Sequence, residues 1–255
     1  MSIAVLLSGG LDSAVLVADE AMRAGSAVQP IYVSVGLAWE GAERAIVDRF
    51  LASAVMEGLA RPLAVLSVDM RDVYAATHWA IEGHAPGYHT ADEDVYLPGR
   101  NIVLLGKAGV YCAASNIDRL VLGTLAHNPF PDATPAFRAA MAETLSLGLA
   151  HQLTIDAPYA NFSKADVIRR GVSLGVPLDL TLSCMNPVSV EPGEPREPGE
   201  PWEPREPWEP REPRHCGLCS KCRERHDAFL EAGVEDPTPY VDTTHIRAGH
   251  SSSGH

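Results

Sequence analysis

Two hydrophobic patterns alternate along the first 180 or so residues: short unbroken apolar runs, and longer stretches in which apolar residues return every three or four positions. Ile3–Leu7 is a solid aliphatic run stopped by Ser8-Gly9-Gly10, as in a strand buried on both faces of a parallel sheet. Residues 12–24 follow with helical spacing and end at Gly25. The same alternation predicts strands at 28–33, 63–68, 119–122 and 153–155, and helices at 40–59, 102–114, 135–149 and 164–174. Strand and helix in regular succession make an α/β fold with a mainly parallel sheet. Such sheets bind ligands beyond the carboxyl ends of their strands, so chemistry is expected in the loops after residues 7, 34, 69 and 123.

The pattern then breaks. Residues 191–214 parse into eight consecutive Glu-Pro-x triplets. Period three fits the three residues per turn of a polyproline II helix, and with so few aliphatic side chains the segment cannot build a core. It reads as a solvated linker reaching about 75 Å when extended. Trp202 and Trp208 would be its anchors if it docked instead in an aromatic groove. Residues 215–240 form a compact Cys-rich stretch, and 241–255 read as a disordered tail whose His245, His250 and His255 are not expected to hold a metal. The expected division is an α/β domain over 1–183, the linker over 191–214, and a small module made of Cys184 with 215–240.

Composition narrows the functional classes. Twenty Lys and Arg against 33 Asp and Glu give a net charge of −13, which disfavours loose binding to nucleic acid or to an anionic membrane. No uncharged apolar run reaches the ~18 residues of a membrane span. The start, MSIAVLLSGG, lacks the basic region and cleavage site of an export signal, so a cytoplasmic, reducing location is expected. In that setting clustered cysteines point to metal rather than disulfides.

Two motifs carry chemistry. The first, Leu7-Ser8-Gly9-Gly10-Leu11-Asp12-Ser13, joins the first strand to the first helix. Its glycines permit a tight turn that aims successive N–H groups at one spot, to which the helix adds its positive end. Ser8 and Ser13 offer hydroxyls, and Asp12 suits a Mg²⁺ carried by phosphates. No Lys comes after it, so this is not the loop that grips β and γ phosphates. The second motif is Cys216-Gly-Leu-Cys219-Ser-Lys-Cys222, two interlocked C-x-x-C pairs. Such spacing presents three thiolates to one tetrahedral centre, and Cys184 is the fourth candidate ligand of a structural zinc. Cys112 lies within an apolar helix and reads as a core thiol.

Together these motifs resemble the 7-cyano-7-deazaguanine synthase family of PP-loop ATP pyrophosphatases. The resemblance rests on SGGLDS at 8–13, LPGRN at 97–101, Pro131-Asp132 with Phe137, the segment from Pro158 to Lys164, Ser183-Cys184, and the stretch from Cys216 to Tyr240. It implies an adenine-nucleotide α-hydrolase-like, Rossmann-like fold of three layers with the C-terminal zinc module. It also implies ATP, Zn²⁺ and Mg²⁺ as cofactors, and a deazaguanine carboxylate and ammonia as substrates. A homodimer is implied, with no nucleic-acid or membrane partner. The loop from Leu7 to Ser13 would then hold ATP, with Asp12 and Ser13 as its catalytic groups. Arg100, Asn101, Asp132 and Lys164 would line the nucleotide and substrate pocket.

Two departures from the family pattern bear on the substrate. A Gly-Gln pair is usual after the second strand, where this chain has Gly36-Leu37-Ala38-Trp39-Glu40. The segment associated with the deazaguanine is shortened to 128–134, with Ala133-Thr134 in place of Cys-Arg. The expected activity is conversion of 7-carboxy-7-deazaguanine and ammonia to the nitrile, with release of AMP and pyrophosphate. The alternatives are a paralogous adenylating enzyme that uses another carboxylate or amide or joins a deazapurine to a protein, and a non-catalytic zinc-bearing interaction module.

Overall fold

A computed structural model describes residues 2–126, 128–190 and 212–248. Five strands, β1 (Ile3–Leu6), β2 (Gln29–Ser34), β3 (Ala64–Ser67), β4 (Arg119–Val121) and β5 (Thr154–Asp156), form one fully parallel sheet in the order β3-β2-β1-β4-β5. Alternate strand residues point to opposite faces, which sorts the core into two layers. Val5, Leu7 and Tyr32 pack with α1 (Leu11–Ala24), α2 (Glu40–Leu51), α6 (Lys164–Ser173) and α7 (Ser220–Ala232). Ala4, Ile31, Val33 and Leu120 pack on the other face with α4 (Arg100–Ala114) and α5 (Pro135–Leu149). The parallel α/β sheet expected from the alternating pattern is present, in the three-layer arrangement that the family resemblance implied.

The strand order reverses between β1 and β4, which opens a crevice at their carboxyl ends, the place where such sheets take ligands. Polar groups buried at the far end of α1 fix its direction. Asp19 accepts from Tyr159 Oη (2.9 Å) and pairs with Arg23 and Arg170, while Glu20 pairs with Arg119, which also reaches Asp156. With that end held, the N-terminus of α1 faces the crevice.

Several boundaries differ from the sequence expectation. The helix expected over 40–59 stops at Leu51, because Ser53 and Glu57 are extended and Gly58 sits at φ +73°. A short helix absent from the periodicity, α3 (Trp79–Glu82), comes after a loop and places Trp79 against Trp39, with stacked ring centroids 5.7 Å apart. The last Glu-Pro-x triplet is not spacer: Glu212–Arg214 is strand β7, paired antiparallel with β6 (Val188–Val190). Residues 191–211, with Trp202 and Trp208, lie outside the described residues. Order also extends past 240. Val241 N donates to His215 O (2.9 Å), Asp242 N donates to Cys216 O (3.0 Å), and Thr244–Ala248 is a short helix, α8, whose His245 stacks on Tyr88. His250 and His255 fall outside the described residues. Among the described residues no helix is long and apolar enough to cross a membrane.

The Cys-rich module is joined to the α/β domain, at the segment after α6, through Arg225, which is fully buried. Its guanidinium donates to Thr238 Oγ1 (2.6 Å), Thr181 Oγ1 (2.8 Å) and Leu178 O (2.7 Å). Removing it orphans three acceptors and leaves a void. Arg225→Ala is expected to cost about 3 kcal/mol or more in urea unfolding. Exposed Arg61→Ala should stay within about 0.5 kcal/mol.

Candidate active site and metal centre

The turn after β1 depends on Gly9, which lies at φ +81°. A Cβ there would also approach Glu43 O to 3.1 Å and Val47 Cγ2 to 3.2 Å, so both conformation and space require glycine. Gly9 O accepts from Leu182 N (2.8 Å), which ties the turn to the segment leading into Cys184. Inside the loop the two hydroxyls hold each other. Ser13 Oγ donates to Gly10 O (3.0 Å) and accepts from Ser8 N (3.3 Å), and the Ser8 and Ser13 oxygens are 3.3 Å apart.

The loop opens into a cavity of about 280 Å³ at the reversal between β1 and β4. Leu7, Ser8, Gly10, Asp12 and Ser13 line it from one side, and Arg100, Asn101 and Asp132 from another. Gly123 and Thr124, just past β4, complete the crevice, so two of the four loops expected to carry chemistry meet here. The residues directly after β3 stay outside the cavity, but Val95, Tyr96 and Leu97 at the far end of the β3–α4 connection line it, and Tyr74 Oη donates to Pro98 O (3.0 Å) to brace that end. Gly9 and Leu11 are not in the wall. Gly9 makes the turn, and Leu11 is buried in the helix-side core.

Four buried side-chain atoms of the wall have no hydrogen-bond partner: Asp12 Oδ1, Arg100 Nε, Thr124 Oγ1 and Asp132 Oδ1. Buried polar atoms are rarely left so, and their convergence marks a place for a polar ligand. The other oxygen of Asp132 accepts from Asn101 N (3.2 Å), and Asn101 Nδ2 donates to Asp132 O (3.1 Å). The shortened 128–134 segment is thereby fixed to the start of α4. Thr134 in the same segment caps α5 by accepting from Phe137 N (3.2 Å), and Phe130 stacks on Tyr96 at 4.9 Å.

Lys164 stands behind the loop rather than in the wall. Its ammonium is 3.4 Å from Asp12 Oδ2 and 2.5 Å from Glu224 Oε1, and Glu224 Oε2 also meets Lys221 at 2.5 Å. Burial works against the Lys164 charge, but Asp12 and Glu224 outweigh it and hold the ammonium above the usual lysine range. Burial pushes the Asp12 carboxyl up, and Lys164 pulls it back. Burial likewise opposes the charge on Glu224, yet the two lysines hold its carboxyl at about 2.

Sequence reasoning missed Glu43 and the groups around it. Glu43 lines the cavity from α2, 8% exposed, and accepts from Tyr32 Oη (2.8 Å) and Trp39 Nε1 (3.1 Å). Glu40, one turn earlier, accepts from Ser34 Oγ (2.5 Å), Val35 N (2.7 Å) and Gly36 N (3.0 Å). The stretch that departs from the family pattern is therefore ordered by its own carboxylates. In sequence both residues look like ordinary acidic groups in the first turn of a helix.

Cys184, Cys216, Cys219 and Cys222 are all buried, with their sulfurs within 4.8 Å of one another. Contacts of 3.4, 3.8, 3.5 and 3.8 Å link them, too long for disulfides. Sulfurs arranged about a zinc at about 2.3 Å would be about 3.8 Å apart, so the donor set fits one tetrahedral ion. Backbone N–H groups of Asn186, Cys216, Gly217 and Leu218 point at these sulfurs at 3.3–3.4 Å, as suits thiolates. Cys112 is apart from them, fully buried, its thiol pushed up to about 12 by burial.

Residues 2–233 match the family described as Queuosine biosynthesis protein QueC. A 7-cyano-7-deazaguanine synthase of Azoarcus sp. (strain BH72) is 33% identical over 92% of this chain and 95% of its own length. Proteins of that name from Methanopyrus kandleri and Anaeromyxobacter dehalogenans are 30% and 32% identical, each over 93% of this chain and 98% and 94% of their own. On this match over nearly its whole length, the chain belongs to the QueC family of queuosine biosynthesis proteins.

Proposed function

We propose that the chain is an ATP-dependent carbon–nitrogen ligase that converts 7-carboxy-7-deazaguanine and ammonia to 7-cyano-7-deazaguanine. The observation that carries this reading is the Ser8–Ser13 loop opening onto a cavity in which Asp12 Oδ1, Arg100 Nε, Thr124 Oγ1 and Asp132 Oδ1 are buried without partners. The relatives' shared name supplies the substrate class.

The substrate carboxylate attacks the α-phosphate of ATP, forming an acyl adenylate and releasing pyrophosphate. Ammonia displaces AMP to give the amide. A second ATP activates the amide oxygen, and loss of AMP leaves the nitrile. One cavity serves both adenylations, since each needs only an oxygen in line with the α-phosphate. The N–H groups in the first turn of α1 face the pyrophosphate, where the helix end favours negative charge. The Ser8 and Ser13 hydroxyls keep that turn closed. Arg100 Nε is free for a phosphate or carboxylate, and Asp132 Oδ1 for an N–H of the deazapurine. Asp12 Oδ1 is the atom available to a Mg²⁺ bound by the nucleotide, which would supply charge neutralisation on the phosphates.

A second reading comes from the 128–134 segment, whose Thr134 is engaged in capping α5 and whose Phe130 is stacked on Tyr96. A pocket wall altered in this way fits a paralogue that adenylates a different carboxylate. Incubation with 7-carboxy-7-deazaguanine, ATP and ammonium separates the two. The nitrile with AMP and pyrophosphate is expected, and ATP consumption only with other carboxylates would favour the paralogue.

Asp12→Ala should lower AMP formation by roughly a hundredfold to a thousandfold, the loss of about 3–4 kcal/mol of charge stabilisation, while secondary structure by circular dichroism is kept. Unchanged turnover would remove Asp12 from the mechanism. The purified protein should contain one equivalent of zinc, held by Cys184, Cys216, Cys219 and Cys222. Cys184→Ala should lose it and unfold at lower temperature, because structural zinc contributes folding free energy directly. Elemental analysis well below one equivalent, with Cys184→Ala as stable as the parent, would count against the metal.

A further inference from the structure

Adenylation of a carboxylate needs no proton transfer, because the nucleophile arrives ionised. Amide and nitrile formation do need it, and none of the sequence motifs supplies a base. Resting on the ligase reading above, we propose that Glu43 is the general base that takes the N–H protons released when ammonia adds and when the amide loses AMP to become the nitrile.

The position supports this. Glu43 shares the cavity with the Ser8–Ser13 loop and with Arg100. Its carboxyl is held by one donor on each oxygen, Tyr32 Oη and Trp39 Nε1, which fixes its orientation and leaves further lone pairs for a proton. Among the described residues no cation pairs with it directly. The charged and titratable groups facing it are Tyr32 on β2, Arg100 at the start of α4, and Glu40 on its own helix; the Arg44 guanidinium lies over the Tyr32 ring at 5.3 Å. Burial pushes the Glu43 carboxyl up to about 7, with Glu40 adding to the rise, while Arg100, Tyr32 and Trp39 limit it. A base poised there is ionised often enough to accept a proton and basic enough to hold it.

In the first of these steps the ammonia lone pair forms the C–N bond at the acyl carbon. The C–O bond to AMP breaks with its electron pair on AMP, and the surplus N–H proton goes to the Glu43 carboxylate. Solvent resets the carboxyl. After the second ATP has placed an adenylyl group on the amide oxygen, the iminium nitrogen loses one proton to solvent, and Glu43 takes the last imidate N–H proton. The N–H electron pair becomes the third C–N bond as the C–O bond breaks and AMP leaves.

The test separates the half-reactions in the full-length enzyme. Glu43→Gln should retain ATP–pyrophosphate exchange dependent on 7-carboxy-7-deazaguanine to within a few-fold, while ammonia-dependent amide formation falls about a hundredfold or more. At constant free ammonia, the parent's amide-forming rate should rise with pH through about 7, the ionisation of Glu43, and the variant should lack that limb. Tyr32→Phe removes a donor that stabilises the carboxylate, so the limb should move to higher pH. Equal loss in both half-reactions of Glu43→Gln, or loss in neither, overturns the assignment. An unmoved limb in Tyr32→Phe does so as well, and serves if Glu43→Gln does not fold. Absence of exchange in the parent enzyme would instead overturn the adenylation reading on which the assignment rests.

Discussion

The turn at Gly9 is the constraint on which the rest of the site depends. It lies in a backbone region that favours glycine, pressed against Glu43 O and Val47, with its carbonyl bonded to Leu182 N, two residues before a cysteine of the sulfur cluster. The N-terminus of α1 is therefore aimed by three elements at once: the strand that feeds the turn, the helix packed above it, and the segment leading to the cluster. A second link runs the same way, from Asp12 through Lys164 to Glu224 on α7, the helix that starts just after Cys219 and carries Cys222.

This geometry gives the sulfur cluster a role at a distance. Its module touches the α/β domain through groups that end at the loop, and Arg225 closes the join by donating to Thr181 Oγ1 and Leu178 O across it and to Thr238 Oγ1 within the module. A metal at the four cysteines would stabilise the module, and the module steadies the loop. Four protein sulfurs fill a tetrahedron and leave no coordination position for a substrate, so the chemistry belongs to the cavity and not to the cluster.

Much of this was legible in the sequence because it is local. A strand ending in Gly-Gly before a helix specifies a turn and an N–H cradle within a few residues, and three cysteines at C-x-x-C spacing converge through one turn. The parallel sheet is readable from the alternation of apolar runs with helical spacing. The features hidden from the sequence are set by contacts between distant residues. Glu43 becomes a buried pocket carboxyl only because Tyr32 and Trp39 close over it. The early end of α2 is a matter of backbone at Ser53, Glu57 and Gly58, in a stretch whose apolar spacing still looks helical. Glu212–Arg214 belongs to a repeat that suggests spacer, yet pairing with Val188–Val190 makes it a strand. Lys164, expected in the pocket wall, instead acts on it through Asp12.

In the proposed reaction the substrate carboxylate attacks the α-phosphate of ATP in this cavity. Turnover of 7-carboxy-7-deazaguanine carrying heavy oxygen in its carboxylate, with mass spectrometry of the nucleotides, tests it most directly. Attack by the carboxylate predicts transfer of a labelled oxygen to the phosphoryl group of AMP, with unlabelled pyrophosphate. Unlabelled AMP, or label in inorganic phosphate alongside ADP, would contradict it.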